Sequence, residues 1–223
     1  MQRELTIDTP PTNRPAPNGG RTLTVVIPVL NEERGLDNLV ARLTPELDKT
    51  ALDWDVVFID DGSRDGTLAK IRDLHAIDQR YKAVAFSRNF GKEIALAAGL
   101  AYATGDAVVL MDADLQHPPE VIHDFIAKWR AGYDNVYAQR DDRANETWAR
   151  RLGARDFYWL FHKLSRVKLP EGAGDFRLLS RKAVDAMNSL GERVRFTKGL
   201  YAWIGFKSIG VPYHVPPRAE GAS

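Results

Sequence analysis

Short apolar runs alternate with longer amphipathic segments over most of the first 130 residues. Four runs rich in β-branched and aliphatic residues are predicted to be strands, at residues 23–29, 56–59, 83–86 and 107–111. The segments between them repeat apolar residues at helical spacing and predict helices near residues 36–47, 67–77, 93–102 and 120–129. Strands that alternate with helices in this way predict an α/β fold, with a Rossmann-like, mostly parallel sheet flanked by helices.

The charge of the chain is balanced in total but divided along its length. The formal net charge of +1 excludes histone-like and acidic-tail proteins. Residues 1–142 sum to −7 and residues 143–223 to +8, so the first half suits a bound cation and the second suits an anion. Because the negative half would repel a polyanion, no nucleic-acid partner is expected. Cysteine is absent, which excludes disulfide frameworks, thiolate metal sites and cysteine nucleophiles.

One domain is expected between two irregular ends. Residues 1–21 are rich in Pro and Gly and are predicted to form a flexible leader. Residues 22–218 would form the domain, and residues 219–223 a truncated or frayed tail. The N-terminus lacks the apolar run of a secretory signal. The longest nearly apolar stretch, residues 94–103, is too short to span a bilayer.

Polar residues follow each of the four predicted strands. They are Asn31, Glu32 and Glu33 after the first strand, Asp60 and Asp61 after the second, Ser87, Arg88 and Asn89 after the third, and Asp112, Asp114 and Gln116 after the fourth. Parallel sheets bind ligands beyond the carboxyl ends of their strands. Asp, Gly and Ser also form ordinary turns. Two acidic pairs at neighbouring buried strands repel each other, however, and this favours a cation or a hydrogen-bonding ligand.

The pair Asp112 and Asp114 is the candidate metal site. Side chains two residues apart on an extended segment point the same way, and carboxylate oxygens suit Mg²⁺ or Mn²⁺. Gln116 offers a third oxygen. His117 and His123 lie six residues apart, which does not place them on one helix face, and both are predicted to be solvated histidines.

A glycine-containing segment near residue 175 supplies further candidate active-site groups. Gly172 and Gly174 allow close approach of the backbone to a ligand, which singles out Asp175 and Arg177. The segment is not a dinucleotide-binding Gly-x-Gly-x-x-Gly loop, because Arg177 stands at the third glycine position. The chain also contains neither a P-loop nor a Gly-x-Ser-x-Gly motif.

A basic, aromatic segment near residues 144–166 is predicted to be an amphipathic helix. Its apolar face is rich in Trp, Phe and Tyr, and its polar face carries Arg150, Arg151, Arg155 and Lys163. One interpretation is a helix packed on the sheet with a solvated basic face. The other, which the composition favours, is a helix that contacts an anionic membrane surface.

Five sequence strings carry a family resemblance. They are Val26-Ile-Pro-Val-Leu-Asn-Glu-Glu33, Asp60-Asp-Gly-Ser-Arg-Asp-Gly-Thr67, Ser87-Arg-Asn-Phe-Gly-Lys92, Asp112-Ala-Asp-Leu-Gln-His-Pro-Pro-Glu120 and Gly174-Asp-Phe-Arg-Leu178. Over about residues 22–218 the chain resembles family 2 glycosyltransferases of GT-A fold, in the branch of dolichol-phosphate mannose synthase and the bacterial polyprenyl-phosphate glucosyltransferases.

The resemblance implies roles for individual residues. The implied donor-nucleotide pocket contains Pro28, Asn31, Glu33, Asp60, Asp61, Lys92, Asp112 and Ala113. The implied metal ligands are Asp112, Asp114 and Gln116, and the implied catalytic residues are Asp175, Asp114 and Arg177. Arg140 and Arg155 would hold the acceptor phosphate, and Arg193, Arg195 and Lys198 would belong to a loop that closes over the donor.

The resemblance also implies an activity. It is the inverting, Mg²⁺- or Mn²⁺-dependent transfer of one sugar from UDP-glucose, GDP-mannose or a similar donor to a polyprenyl or dolichyl phosphate. The Gln-x-x-Arg-Trp string of processive synthases is absent, which favours transfer of a single sugar. The enzyme would be peripheral on the cytoplasmic face of the membrane, unless a longer form carries C-terminal membrane helices, and it could form a homo-oligomer. The alternatives are a hydroxyl acceptor, a nucleotidyltransferase, and a nucleotide-sugar sensor without turnover.

Overall fold

The structure is a computed structural model that describes residues 21–140, 173–190, 200–201 and 203–213. The predicted leader, the basic segment near 144–166 and the C-terminal tail lie outside the described residues. The same holds for Arg155, Arg193, Arg195 and Lys198. The backbone of Arg140 is described, and its side chain is not.

Seven strands and five helices make up the described part of the chain. In chain order they are β1 (Thr22–Val29), α1 (Leu36–Asp48), β2 (Asp53–Asp60), α2 (Thr67–Ile77), β3 (Tyr81–Ala85), α3 (Lys92–Tyr102), β4 (Ala107–Leu110), α4 (Val121–Arg130), β5 (Asn135–Arg140), β6 (Ala173–Ser180), α5 (Arg181–Ser189) and β7 (Ser208–Tyr213). The four strands and four helices predicted from periodicity are all present, with bounds within three residues of those expected.

The strands form one sheet in the order β3-β2-β1-β4-β6-β5-β7. Strands β1 to β4 are parallel, as are β5 and β7, whereas β6 is antiparallel to both β4 and β5. The prediction of a mostly parallel sheet flanked by helices is therefore confirmed. Strands β5, β6 and β7, and the antiparallel direction of β6, were not predicted from the sequence.

Both faces of the sheet are covered by helices, which explains why its central strands are almost continuously apolar. Val25 of β1 belongs to the cluster on one face, with Leu43 of α1 and Phe125 of α4. Val26, the next residue, belongs to the cluster on the other face with Leu96 of α3. All five side chains are almost completely buried. The core therefore fixes the direction of each strand and, with it, the edge where the strands end.

Helix α3 lies unusually close to β1 because Gly99 has no side chain. A Cβ atom built at this position would lie 2.1 Å from Cγ1 of Val26. We expect Gly99→Ala to lower the free energy of unfolding by about 1–3 kcal/mol, since α3 must move away from the sheet to admit the methyl group. Urea unfolding monitored by circular dichroism measures this loss.

The double variant Gly99→Ala/Val26→Ala is the matched control for this contact. Val26→Ala removes the methyl group that collides with the new Cβ, so the double variant should lose less stability than the two single variants together. Purely additive losses would contradict the assignment of the effect to this contact.

Candidate active site

The edge at the carboxyl ends of β1, β2 and β4 gathers most of the predicted site residues. Asp112 and Asp114 follow β4 after Met111. Because β6 is antiparallel to β4, with Arg177 opposite Leu110, its first residues lie beside the loop that follows β4. The reversal of β6 thus brings Asp175 to the edge where the parallel strands end.

Lys92 connects the two predicted carboxylate groups directly. Its Nζ atom lies 2.6 Å from Oδ1 of Asp112 and 3.0 Å from Oδ2 of Asp175. Burial opposes the charged ammonium, but the two carboxylates outweigh it and raise the pKa of Lys92 above its usual value. The sequence analysis placed Lys92 with the donor nucleotide and did not predict this double ion pair.

Asp112 and Asp114 differ in their surroundings. Asp112 is partly exposed, and its Oδ2 lies 4.0 Å from Nδ1 of His117. Asp114 is exposed, and its Oδ1 accepts a hydrogen bond of 3.1 Å from the backbone N–H of Gln116. Leu115, which lies between Asp114 and Gln116, has a positive φ of 54°, and this turns the chain sharply. Ala113 is buried beneath the loop.

The donor atoms of this loop fit part of a divalent-metal site. Within the described ranges, no group of three His, Cys, Asp or Glu side chains is arranged to hold a metal ion. Mg²⁺ typically uses only one or two protein carboxylates, and waters and substrate phosphates complete its coordination. Asp112 and Asp114 suit such an ion when a diphosphate supplies the remaining oxygens.

Asp60 and Asp61 are buried and bound by the backbone. Asp61 accepts hydrogen bonds from the N–H groups of Phe90 at 2.7 Å and Gly91 at 2.9 Å. Asp60 accepts one from the N–H of Ser63 at 3.1 Å. The expectation that this acidic pair meets a cation or a hydrogen-bonding ligand stays a prediction. Within the protein, backbone N–H groups bind both carboxylates, and Asp61 fixes the loop before Lys92.

Asn31 and Glu33 join the loop after β1 to the loop after β2. Oδ1 of Asn31 accepts from the N–H of Arg64 at 2.9 Å, and Oε2 of Glu33 accepts from the N–H of Gly66 at 2.9 Å. A Cβ atom at Gly66 would lie 2.5 Å from the Glu33 carboxylate, so a larger residue here would displace this carboxylate from its hydrogen bond. Pro28 precedes this loop as a half-buried residue of β1. These contacts shape the edge that is expected to receive a nucleotide.

Glu32 is an acidic residue close to Asp114 in the loop after β4. It was noted among the polar residues after the first strand, but no role was predicted for it. Burial raises the pKa of its carboxyl, and repulsion from Asp114 and Asp65 raises it further. Its N–H donates to Oγ1 of Thr67 at 2.8 Å. The available signal was its position between Asn31 and Glu33, in the polar run after β1.

Arg177 is buried beneath the site, with only 2% of its surface exposed. Its guanidinium donates to the carbonyl oxygen of Gly174 at 2.5 Å and to Oδ1 of Asn135 at 3.4 Å, and it lies 3.6 Å above the ring of Tyr201. Burial lowers the pKa of Arg177 below its usual value, and Tyr201 and Asp175 oppose the effect. Arg177 therefore holds the backbone next to Asp175 from below.

The two histidines have different environments. The ring of His117 lies 5.0 Å from that of Phe176 and 5.8 Å from that of Tyr213, and its side chain is only 16% exposed. The prediction of a solvated histidine is wrong for His117, because the loop after β4 folds it against aromatic residues of β6 and β7. His123 is half-exposed and pairs with Glu46 at 2.8 Å.

Comparison with known proteins identifies the family. A family model described as glycosyl transferase family 2 matches residues 24–187. The chain belongs to glycosyl transferase family 2.

Two curated relatives of this family 2 glycosyltransferase come from bacteria. An uncharacterized glycosyltransferase of Synechocystis sp. is 46% identical over 89% of the chain and 63% of the relative. A prophage bactoprenol glucosyl transferase homolog of Escherichia coli is 41% identical over 89% of the chain and 65% of the relative. The chain thus spans less than two thirds of the length of these relatives.

Solved structures confirm the GT-A fold of this family 2 glycosyltransferase. Glucosyl-3-phosphoglycerate synthase from Mycobacterium tuberculosis, in complex with Mn²⁺, UDP-glucose and phosphoglyceric acid, has a TM-score of 0.56. It is 23% identical, over 91% of this chain and 73% of that chain. In the part of this chain that the structure describes, no helix is both long and apolar enough to cross a membrane.

Proposed function

We propose that this family 2 glycosyltransferase transfers one sugar, with inversion, from a nucleotide-sugar donor to a polyprenyl phosphate. The observation that carries the proposal is the ion-paired series Asp112, Lys92 and Asp175, which joins the donor-side and acceptor-side carboxylates. The names of relatives as bactoprenol glucosyl transferases support the lipid acceptor. They also favour glucose over mannose as the sugar.

The donor would lie on the loops that follow β1, β2 and β4. Asp112 and Asp114 would hold Mg²⁺ or Mn²⁺, which when bound neutralises charge on the leaving diphosphate. Pro28, Asn31 and Glu33 would line the nucleotide pocket. The Mn²⁺ and UDP-glucose named with the Mycobacterium tuberculosis enzyme support this choice of ion and donor.

The ion pair of Asp175 favours a phosphate acceptor over a hydroxyl acceptor. One oxygen of its carboxylate is ion-paired with Lys92 at 3.0 Å. A hydroxyl acceptor needs a base that takes its proton, and the ammonium of Lys92 beside Asp175 favours the charged carboxylate and so opposes proton uptake. A phosphate monoester, with a second pKa of about 6, is already largely ionised at neutral pH. Asp175 then orients the acceptor instead of removing a proton.

Basic residues from Arg140 onward would contact the acceptor phosphate, the donor and the membrane. Arg140 ends β5 at the edge where β6 begins, and this position supports a role for Arg140 at the acceptor phosphate. Arg155 would contribute to the same phosphate site. Arg193, Arg195 and Lys198 would close over the donor, and the basic segment near 144–166 would hold the enzyme on the cytoplasmic face of an anionic membrane.

A transfer assay tests the proposal. Radiolabelled UDP-glucose, Mn²⁺ and a polyprenyl phosphate in detergent micelles should yield a glycolipid, and removal of Mn²⁺ with a chelator should abolish its formation. Asp112→Asn should lower kcat by about 100- to 1,000-fold, because stabilisation of the leaving diphosphate is lost. Asp37→Asn, at an exposed aspartate of α1, is the control and should have wild-type activity.

Two comparisons decide between the alternatives within the same assay. GDP-mannose in place of UDP-glucose reports the donor preference. The unphosphorylated polyprenol reports the acceptor, and glucosylation of this alcohol as fast as of its phosphate would contradict the proposed acceptor.

A further inference from the structure

Lys92 combines a backbone that is held by neighbouring hydrogen bonds with a long, partly exposed side chain. Lys92 is the first residue of α3, and the two residues before it donate their N–H groups to the buried carboxylate of Asp61. Its own side chain is 41% exposed and reaches Asp112 and Asp175 through four flexible carbon–carbon bonds. The backbone is therefore held in place while the ammonium can move.

The contact between Lys92 and Asp112 is one that a divalent ion would also need. The ammonium lies 2.6 Å from Oδ1 of Asp112, at least as close as in a typical charge-assisted hydrogen bond. A divalent cation on the same carboxylate would face the full positive charge of Lys92 a few ångströms away, and the two cations repel each other. The Lys92 ammonium and the ion therefore compete for Asp112.

We propose that Lys92 is a resident counter-ion that the donor complex displaces. Without donor, its ammonium balances Asp112 and Asp175 together. When the metal ion and diphosphate bind at Asp112, Lys92 gives up this carboxylate and remains with Asp175. This inference rests on the proposed function, since it takes Asp112 as the donor-side ligand.

An order of binding follows from this exchange. Once Asp112 is taken by the donor complex, the N–H donor that it held becomes available for the acceptor side, and one of the two negative charges that balanced the ammonium is withdrawn. An anionic acceptor would meet a positive charge there that was previously balanced. Donor binding thus prepares the site for a phosphate, and Lys92 acts as a positioning residue between the two substrates.

Binding of Mn²⁺ alone, in the absence of nucleotide, tests the exchange. Electron paramagnetic resonance of free Mn²⁺ measures the dissociation constant without any turnover. Lys92→Met should bind Mn²⁺ about tenfold more tightly than wild type or better, because the competing charge is gone. Lys92→Arg keeps the charge and should stay near the wild-type value. Lys70→Met removes a lysine paired with Asp37 on α1 and should leave Mn²⁺ binding unchanged.

Further variants make the outcome decisive. Lys92→Met/Asp112→Asn should lose the tight binding, which assigns the gain to Asp112. Equal or weaker binding by Lys92→Met would overturn the inference. Thermal melts report whether each variant is folded, and Lys92→Gln replaces Lys92→Met if the latter does not fold. Failure of the proposed function is a separate observation, since it appears as absence of glycolipid in the transfer assay while Mn²⁺ binding still follows this pattern.

Discussion

Asp61→Asn is expected to lower the free energy of unfolding by about 2–4 kcal/mol. Each carboxylate oxygen of Asp61 accepts one backbone N–H group, from Phe90 and from Gly91, and the residue is only 4% exposed. An asparagine has one acceptor oxygen, so its NH₂ group must face the second N–H donor. One of the two N–H donors then loses its partner, and it is pressed against the NH₂ group of the asparagine.

The loss should also be visible locally. Hydrogen exchange measured by NMR should show faster exchange at the amides of Phe90 and Gly91, because both are released from the carboxylate. Sugar transfer should fall as well, since this loop carries Lys92 to Asp112 and Asp175. Urea unfolding and the polyprenyl-phosphate assay give the two remaining measurements.

Asp60→Asn is the matched control for this prediction. Asp60 is equally buried, at 2% exposure, but Oδ1 accepts a single backbone N–H group, from Ser63. An asparagine can keep that acceptor, so the expected loss is less than about 1 kcal/mol. Equal losses in the two variants would show that burial of the charge, and not the second N–H donor, determines the effect.

Arg177→Met is expected to separate stability from activity. Methionine fills much of the same volume and removes a cation whose burial is costly, which offsets part of the loss of the hydrogen bonds to Gly174 and Asn135, so the free energy of unfolding should fall by only about 1–2 kcal/mol. Arg177→Ala leaves a cavity and should cost about 2–5 kcal/mol. Both substitutions remove the hydrogen bond to the carbonyl of Gly174, which holds the residue before Asp175.

Activity should fall in Arg177→Met even though the protein stays folded. The expected pattern is a lower kcat with little change in the KM for the donor, since Arg177 holds the backbone beside Asp175, the proposed acceptor-side aspartate. Arg177→Lys should not restore kcat, because a lysine cannot stack its head group flat on Tyr201 and bond to Gly174 at once. A methionine variant with wild-type kcat would refute a positioning role for Arg177.

The first four strands and the first four helices were predictable because each has a local signal in the sequence. Their apolar residues recur with the period of the element that they form, and the following polar residues mark where each strand ends. Strands β6 and β7 contain residues that disfavour strands, among them Gly174, Asp175 and Pro212. They form because they pair with distant strands, and a local pattern does not contain that information.

The candidate site was predictable as a set of residue types, but not as a set of contacts. Lys92, Asp112 and Asp175 come from α3, from the loop after β4 and from β6, and the antiparallel direction of β6 brings Asp175 to the other two. In the same way, the sequence shows that Asp61 is acidic but not which backbone N–H groups would bind it. The geometry of the loops determines both sets of contacts, and this geometry depends on the tertiary structure.

The antiparallel direction of β6 also determines where residues 141–172 leave and rejoin the sheet. The last residue pair between β5 and β6 joins Gln139 to Ala173, at the edge that carries Asp175. Both ends of this stretch are therefore attached at that edge, beyond the paired residues of β5 and β6. If Asp175 faces the acceptor as proposed, exchange of residues 141–172 between relatives should change the acceptor preference while the loops after β1, β2 and β4 stay as they are.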